Sequence, residues 1–170
     1  MCSYQDVEPI GRLEAQITEL AAQIHAATCR WLSLVAEFDQ RAGWAPWGAR
    51  SCAHWISWRC SIAPAAAREH VRVARRLEEL PLIRDAFADG RLSYSKVRAL
   101  TRMEQPAREA ELLELARIAT AAQLERLVRG YRRVAATERA AADGGPERWV
   151  RWCEDDDGSL LIQARAPAPE

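Results

Sequence analysis

Four side chains of metal-binding type, Cys52, His54, Cys60 and His70, fall within one short stretch of the chain. Structural zinc sites usually take their ligands in close pairs, such as two cysteines two to four residues apart. No CxxC pair exists here, and Cys52 and His54, two positions apart on a helix, point to different faces. They read as buried thiols and surface histidines. The run Glu154, Asp155, Asp156 and Asp157 has the charge for a cation but lacks the spaced ligands of a calcium loop, and reads as a solvated turn. Serine and cysteine are present without a GxSxG elbow, a cysteine-protease signature or a phosphate-cradling glycine loop. The expectation is a chain with no catalytic residue, no metal site and no cofactor of its own.

Two other groups could bind without reacting. Trp44, Trp47, Trp55 and Trp58 are interleaved with Arg41, Arg50 and Arg59, an arrangement able to stack on unpaired bases. Core packing at a helix junction explains the same indoles more simply, and Trp44 and Trp55 are assigned there. Arg68, Arg72 and Arg76 recur every four residues opposite the apolar face of one helix, and are the candidates for DNA contact. That helix follows a short one across a tight turn, as in helix-turn-helix readers. Glu69, Glu78 and Glu79 on the same helix, and Ser61 where the turn usually has glycine, fit a plain helical hairpin as well.

These groups need elements to carry them. The 170 residues suffice for one domain that buries roughly 70% of its unfolded surface, with no need of disulfides. Lysine and arginine number 24, as do aspartate and glutamate, so any attraction for a polyanion must come from a local patch. Lys96 is the only lysine. Five cysteines, odd in number and without a secretory signal, imply reduced thiols in the cytoplasm, and no apolar run approaches the ~18 residues of a membrane span.

From Glu8 to Asp39, apolar residues at Ile10, Leu13, Ile17, Leu20, Ile24, Ala27, Trp31, Leu34 and Phe38 alternate four-and-three, the heptad seam of one long helix. Such a seam is filled either by helices of the same domain or by a second chain. Ile10, Ile17, Ile24 and Trp31 are the candidates for self-association. Gly43, Pro46 and Gly48 then turn the chain, and Ser51 caps a helix over Cys52 to Arg59. Pro64 opens a helix to about Leu80 with Ala67, Val71, Ala74 and Leu77 buried, and Pro81 precedes a short one ending at Ala88, with Gly90 placed to stop it in the left-handed conformation. Ser93 caps Tyr94 to Met103, another helix runs from Pro106 to about Ile118, and Thr120 with Gln123 forms a capping box for a last helix. Trp149 to Cys153 and Leu160 to Arg165 flank an acidic turn ending in Asp157 and Gly158, a hairpin signal. The predicted fold is mainly α: a helical domain over 1–141, a linker at 142–146, a β-hairpin within 147–165 and a tail at 166–170. An isolated hairpin is marginally stable, so this end reads as a domain cut short.

Trp44, Gly48, Ser51, Trp55, Ile56, Ile62, Pro64, Ala67, Val71, Ala74, Leu77, Pro81 and the run Gly90, Arg91, Leu92, Ser93 together resemble the actinobacterial helical domain of unknown function 222 (DUF222), the 13E12 repeat family. The resemblance spans roughly Leu13 to Arg165 and rests on the whole pattern of positions. It implies association with an HNH endonuclease domain, whose metal-bound histidines and asparagine cut DNA and which lies downstream in longer members. This chain contains no asparagine, and His25, His54 and His70 all lie in predicted helices, so no catalytic residue carries over and a divalent metal would belong to the HNH domain. The resemblance thus implies a non-catalytic helical module with a DNA-targeting, assembly or regulatory role. The alternatives are an oligomerisation domain that never touches DNA, or a degenerate reading frame.

Overall fold

The structure is a computed structural model and describes residues 9–103, 108–142, 149–154 and 160–166. Among these, seven α-helices precede an antiparallel hairpin: α1 (Ile10–Gln40), α2 (Cys52–Cys60), α3 (Pro64–Leu77), α4 (Pro81–Ala88), α5 (Tyr94–Leu100), α6 (Glu109–Ile118), α7 (Ala121–Ala142), β1 (Trp149–Glu154) and β2 (Leu160–Arg165). The expected helix start at Pro106, most of the linker and the acidic turn lie outside the described residues. Ala142, expected in the linker, is the last residue of α7.

Side chains set four of the seven helix starts. The Ser51 hydroxyl accepts from the His54 amide at 3.1 Å, Ser93 accepts from Lys96, and Thr120 and Gln123 exchange bonds with each other's backbone amide in a capping box. The α4 N-terminus has no local cap, because Leu80 precedes it and Pro81 donates nothing. The buried carboxylate of Glu109 reaches across from α6 and accepts from the Ile83 amide at 2.8 Å. At the other end of α4, Gly90 takes φ +73°, and the Gly90 and Arg91 amides donate back to Phe87 and Ala86, a Schellman closure. A Cβ on Gly90 would stand 2.6 Å from the Ala22 carbonyl oxygen, so this position must be glycine both for its backbone and for its approach to α1.

The core forms around α3 and α4. Val71, Val73, Ala74 and Leu77 of α3 and Ile83, Ala86 and Phe87 of α4 are buried with Leu32 of α1, Ile56 of α2, Leu100 of α5 and Leu124 of α7. Burying each such aliphatic or aromatic side chain contributes ~1.5–3 kcal/mol. Residue for residue α3 follows its expected stripe of Ala67, Val71, Ala74 and Leu77, with Val73 added, while α2 buries Cys52, Ala53 and Ile56. Two boundaries differ: α3 stops at Leu77, short of Leu80, and α5 stops at Leu100, before Met103.

The heptad seam is not the face that α1 gives to its own domain. α1 buries Cys29, Leu32, Val35 and Ala36 instead, a second face interleaved with the seam. Residues 10–20 are exposed all round, and Ile24, Ala27 and Leu34 also face outward. Trp31 is half-buried, edge-on to His70 with centroids 5.1 Å apart, and His70 stacks on Tyr94 at 5.0 Å, tying α1, α3 and α5 together.

The tryptophan group divides in two. Trp44 and Trp55 are half-buried against the core, with Trp55 4.4 Å from Phe38 between ring centroids. Trp47 and Trp58 lie outside, and the Arg59 guanidinium sits over both rings. In the hairpin, Trp152 pairs with Ile162 and Trp149 with Arg165. Every side chain of β2 is exposed.

Candidate polyanion-binding cleft

The α3 arginines do not form an open stripe, because the end of α5 lies over them. The Arg72 guanidinium makes a two-pronged pair with Glu69, at 2.9 and 3.0 Å, and also donates to the Arg98 and Thr101 carbonyls and the Thr101 hydroxyl at 3.2–3.3 Å. Arg76 donates to the Met103 carbonyl at 2.8 Å and pairs with Glu79. Arg72 therefore sits where the last carbonyls of α5 concentrate negative potential and acts as its C-terminal cap, while Arg76 holds the turn that follows at Met103. Arg68, at the exposed start of the row, borders a cleft shared with Arg72, Arg75 and Arg76. The expectation of three solvent-facing arginines fails for two of them, since helix periodicity identifies a face without showing which neighbour covers it.

A second arginine group is assembled from three elements remote in sequence. A cleft of about 520 Å³ is lined by Arg98 of α5 and Arg102 just beyond its end, Arg129, Arg132 and Arg133 of α7, and Arg165 of β2, with Glu125 the acidic residue in its wall. Glu125 pairs with Arg98 at 2.6 Å, and Glu69 reaches Arg102 at 2.9 Å. Among the described residues no carboxylate pairs with Arg129, Arg132, Arg133 or Arg165. Arg129 and Arg133 are one helical turn apart, and Val128 beneath them is buried in the core, so α7 is fixed in rotation with these side chains outward. Arg165 arrives through the register that sets it opposite Trp149. Four unneutralised guanidiniums around one concavity suit an anion with several oxygens, each able to accept a pair of parallel hydrogen bonds.

The residues of metal-binding type are dispersed in role. Cys52 is buried, and burial, reinforced by the Asp39 charge, pushes its thiol up to about 11. Burial likewise raises the Cys29 thiol, which donates to the Arg84 carbonyl. His54 Nδ1 accepts from the Arg50 amide, Cys60 is exposed, and burial holds the His70 imidazole below its usual range. Among the described residues no three His, Cys, Asp or Glu side chains form a group that could hold a metal ion, and no helix is long and apolar enough to cross a membrane.

Fold and surface define a mainly α-helical module that closes on a β-hairpin and carries an arginine-lined cleft where the two meet. A family model described as a domain of unknown function, DUF222, matches residues 10–160, and the chain belongs to that family. No curated protein and no solved structure matches it.

Proposed function

We propose that the chain is a non-catalytic, cytoplasmic module that holds DNA by its phosphates in the cleft between α5, α7 and β2, as the targeting part of an HNH-endonuclease-associated protein. One observation carries the reading: four arginines with no carboxylate partner among the described residues converge on a single concavity, in a chain whose formal net charge is zero. With no global field to draw in a polyanion, attraction is confined to that cleft, which fixes how the nucleic acid lies on the protein. Phosphate contacts position a duplex and do not read its sequence, so binding is independent of sequence and salt-sensitive. Arg98 and Arg102, already paired with Glu125 and Glu69, hold the floor of the cleft in place. The nuclease chemistry that the family resemblance implies is then supplied outside this chain, and DNA is held here without being cut. Fluorescence anisotropy with a labelled duplex tests the reading: binding in the range of about 10⁻⁴ to 10⁻⁶ M at physiological salt is expected, tightening as salt is lowered. A plasmid incubated with the chain and magnesium, manganese, zinc or nickel should remain unnicked.

A further inference from the structure

We infer that α1 pairs antiparallel with α1 of a second copy of this chain, so that the protruding start of each helix lies in the groove beside the end of the other. The exposed face is unusual in both extent and period. Ile10 is 83% exposed, Ile17 67%, Ile24 55% and Leu34 57%, yet the spacing keeps the 3.5-residue repeat that fits one helix to another. The domain fills this seam only at Trp31 and Phe38, which are half-buried against its core, and otherwise packs on the Cys29, Leu32, Val35 and Ala36 face. Towards the end of α1 the seam runs into a groove of about 630 Å³ whose lining includes Trp31, Leu34 and Phe38 with Trp55 and Ile56. Its first three turns have nothing of the described chain around them.

The side chains choose both the partner and the direction. A parallel, in-register pair would place Trp31 on Trp31, Phe38 on Phe38 and Ala27 on Ala27, leaving two overfilled layers and one hollow layer. Turned antiparallel about a two-fold axis between residues 25 and 26, the seam complements itself: Leu13 meets the partner's Phe38, Ile17 the partner's Leu34, Leu20 the partner's Trp31 and Ile24 the partner's Ala27. A large side chain then meets a smaller one in three of the four layers, and Ile17 meets Leu34 of equal size in the other. The flanking positions agree in charge. Gln16 faces Glu37, Gln23 faces Arg30 and Ala21 faces Thr28, and Glu14 falls beside Val35, which its own domain buries, so no like charges meet along either edge. The contact is isologous and closes at two copies.

Light scattering after size exclusion, with circular dichroism to confirm helicity, tests this on the full chain of 19.1 kDa. The parent should weigh twice that mass at concentrations of tens of micromolar. Ile17→Glu and Leu34→Lys should each shift the chain to the monomer mass with helicity retained, while Ile118→Glu, at an exposed apolar residue off the seam, should leave the dimer intact. Mixing the Ile17→Glu and Leu34→Lys chains should restore the dimer, because only antiparallel pairing sets residue 17 against residue 34. A monomeric parent, a dimer unaffected by either seam change, or a mixture that stays monomeric would each overturn the inference.

Discussion

Arg72 was identifiable in the sequence as a surface cation, and the structure makes it a clamp, so its replacement separates the two roles. Arg72→Ala removes three hydrogen bonds to the end of α5 and leaves the Arg98 and Thr101 carbonyls without their capping cation. It also strands Glu69, whose carboxyl is held below its usual range first by its bond to Arg72. Hydrogen bonds to a charged group contribute ~1.5–3 kcal/mol each. About a third of the Arg72 side chain is exposed, so water recovers part of that, and Arg102 remains beside Glu69. A net loss of ~2–3 kcal/mol is expected, which for a domain of this size lowers the melting temperature by roughly 4–12 °C. Arg68→Ala, at an exposed position, should move it by no more than ~2 °C. Thermal denaturation followed by circular dichroism at neutral pH makes the comparison, and Arg72→Lys, which cannot span the same acceptors, should fall in between. Equal melting temperatures for the parent, Arg68→Ala and Arg72→Ala would refute the clamp and return Arg72 to the surface.

Gly90→Ala should cost ~2 kcal/mol or more in a denaturant titration, because it combines a positive φ with a methyl group driven into the Ala22 carbonyl; a cost below ~0.5 kcal/mol would show that the α1–α4 approach is looser than described. Trp55→Ala should cost ~3–5 kcal/mol by removing the ring packed on Phe38, and a variant melting within a degree or two of the parent would contradict that placement. His70 gives a pH dependence. Its folded value is lowered, chiefly by burial, so the unfolded chain takes up the proton first as pH falls. The stability associated with neutral His70 is complete above the unfolded value of ~6.5 and is lost as pH falls through the lower folded value. The parent should therefore lose more melting temperature than His70→Gln between pH ~7.5 and ~5.5, and parallel profiles would argue against a desolvated imidazole.

The helices were legible where local chemistry decides them. Ser51, Ser93, Thr120 with Gln123, the prolines at 64 and 81, and Gly90 mark ends through groups within a few residues, and the structure uses each as read. The hairpin followed from two strand-like runs flanking the turn signal of Asp157 and Gly158. What stayed hidden depends on partners remote in sequence. α1 carries two apolar faces, and the seam of isoleucines and leucines outweighed the face built on Cys29, Leu32, Val35 and Ala36, though the latter is the one the domain buries. Nothing near Arg72 announces the Thr101 carbonyl, 29 positions away. The end of α5 at Leu100 is set by that same contact region. Arg129, Arg132 and Arg133 were not singled out in the sequence, because their convergence with Arg102 and Arg165 requires the packing of α5 on α7 and the hairpin register.

The proposed role is tested most directly by the salt dependence of DNA binding in the parent and in an Arg129→Gln, Arg132→Gln, Arg133→Gln triple variant. Four phosphate contacts predict a log-log slope near −3.6, at about −0.9 per contact, and the variant, with Arg165 alone remaining unpaired, should fall towards −0.9 while melting close to the parent. A sequence-scrambled duplex should bind equally well. Absence of binding at low salt, or an unchanged slope in the triple variant, would contradict the account.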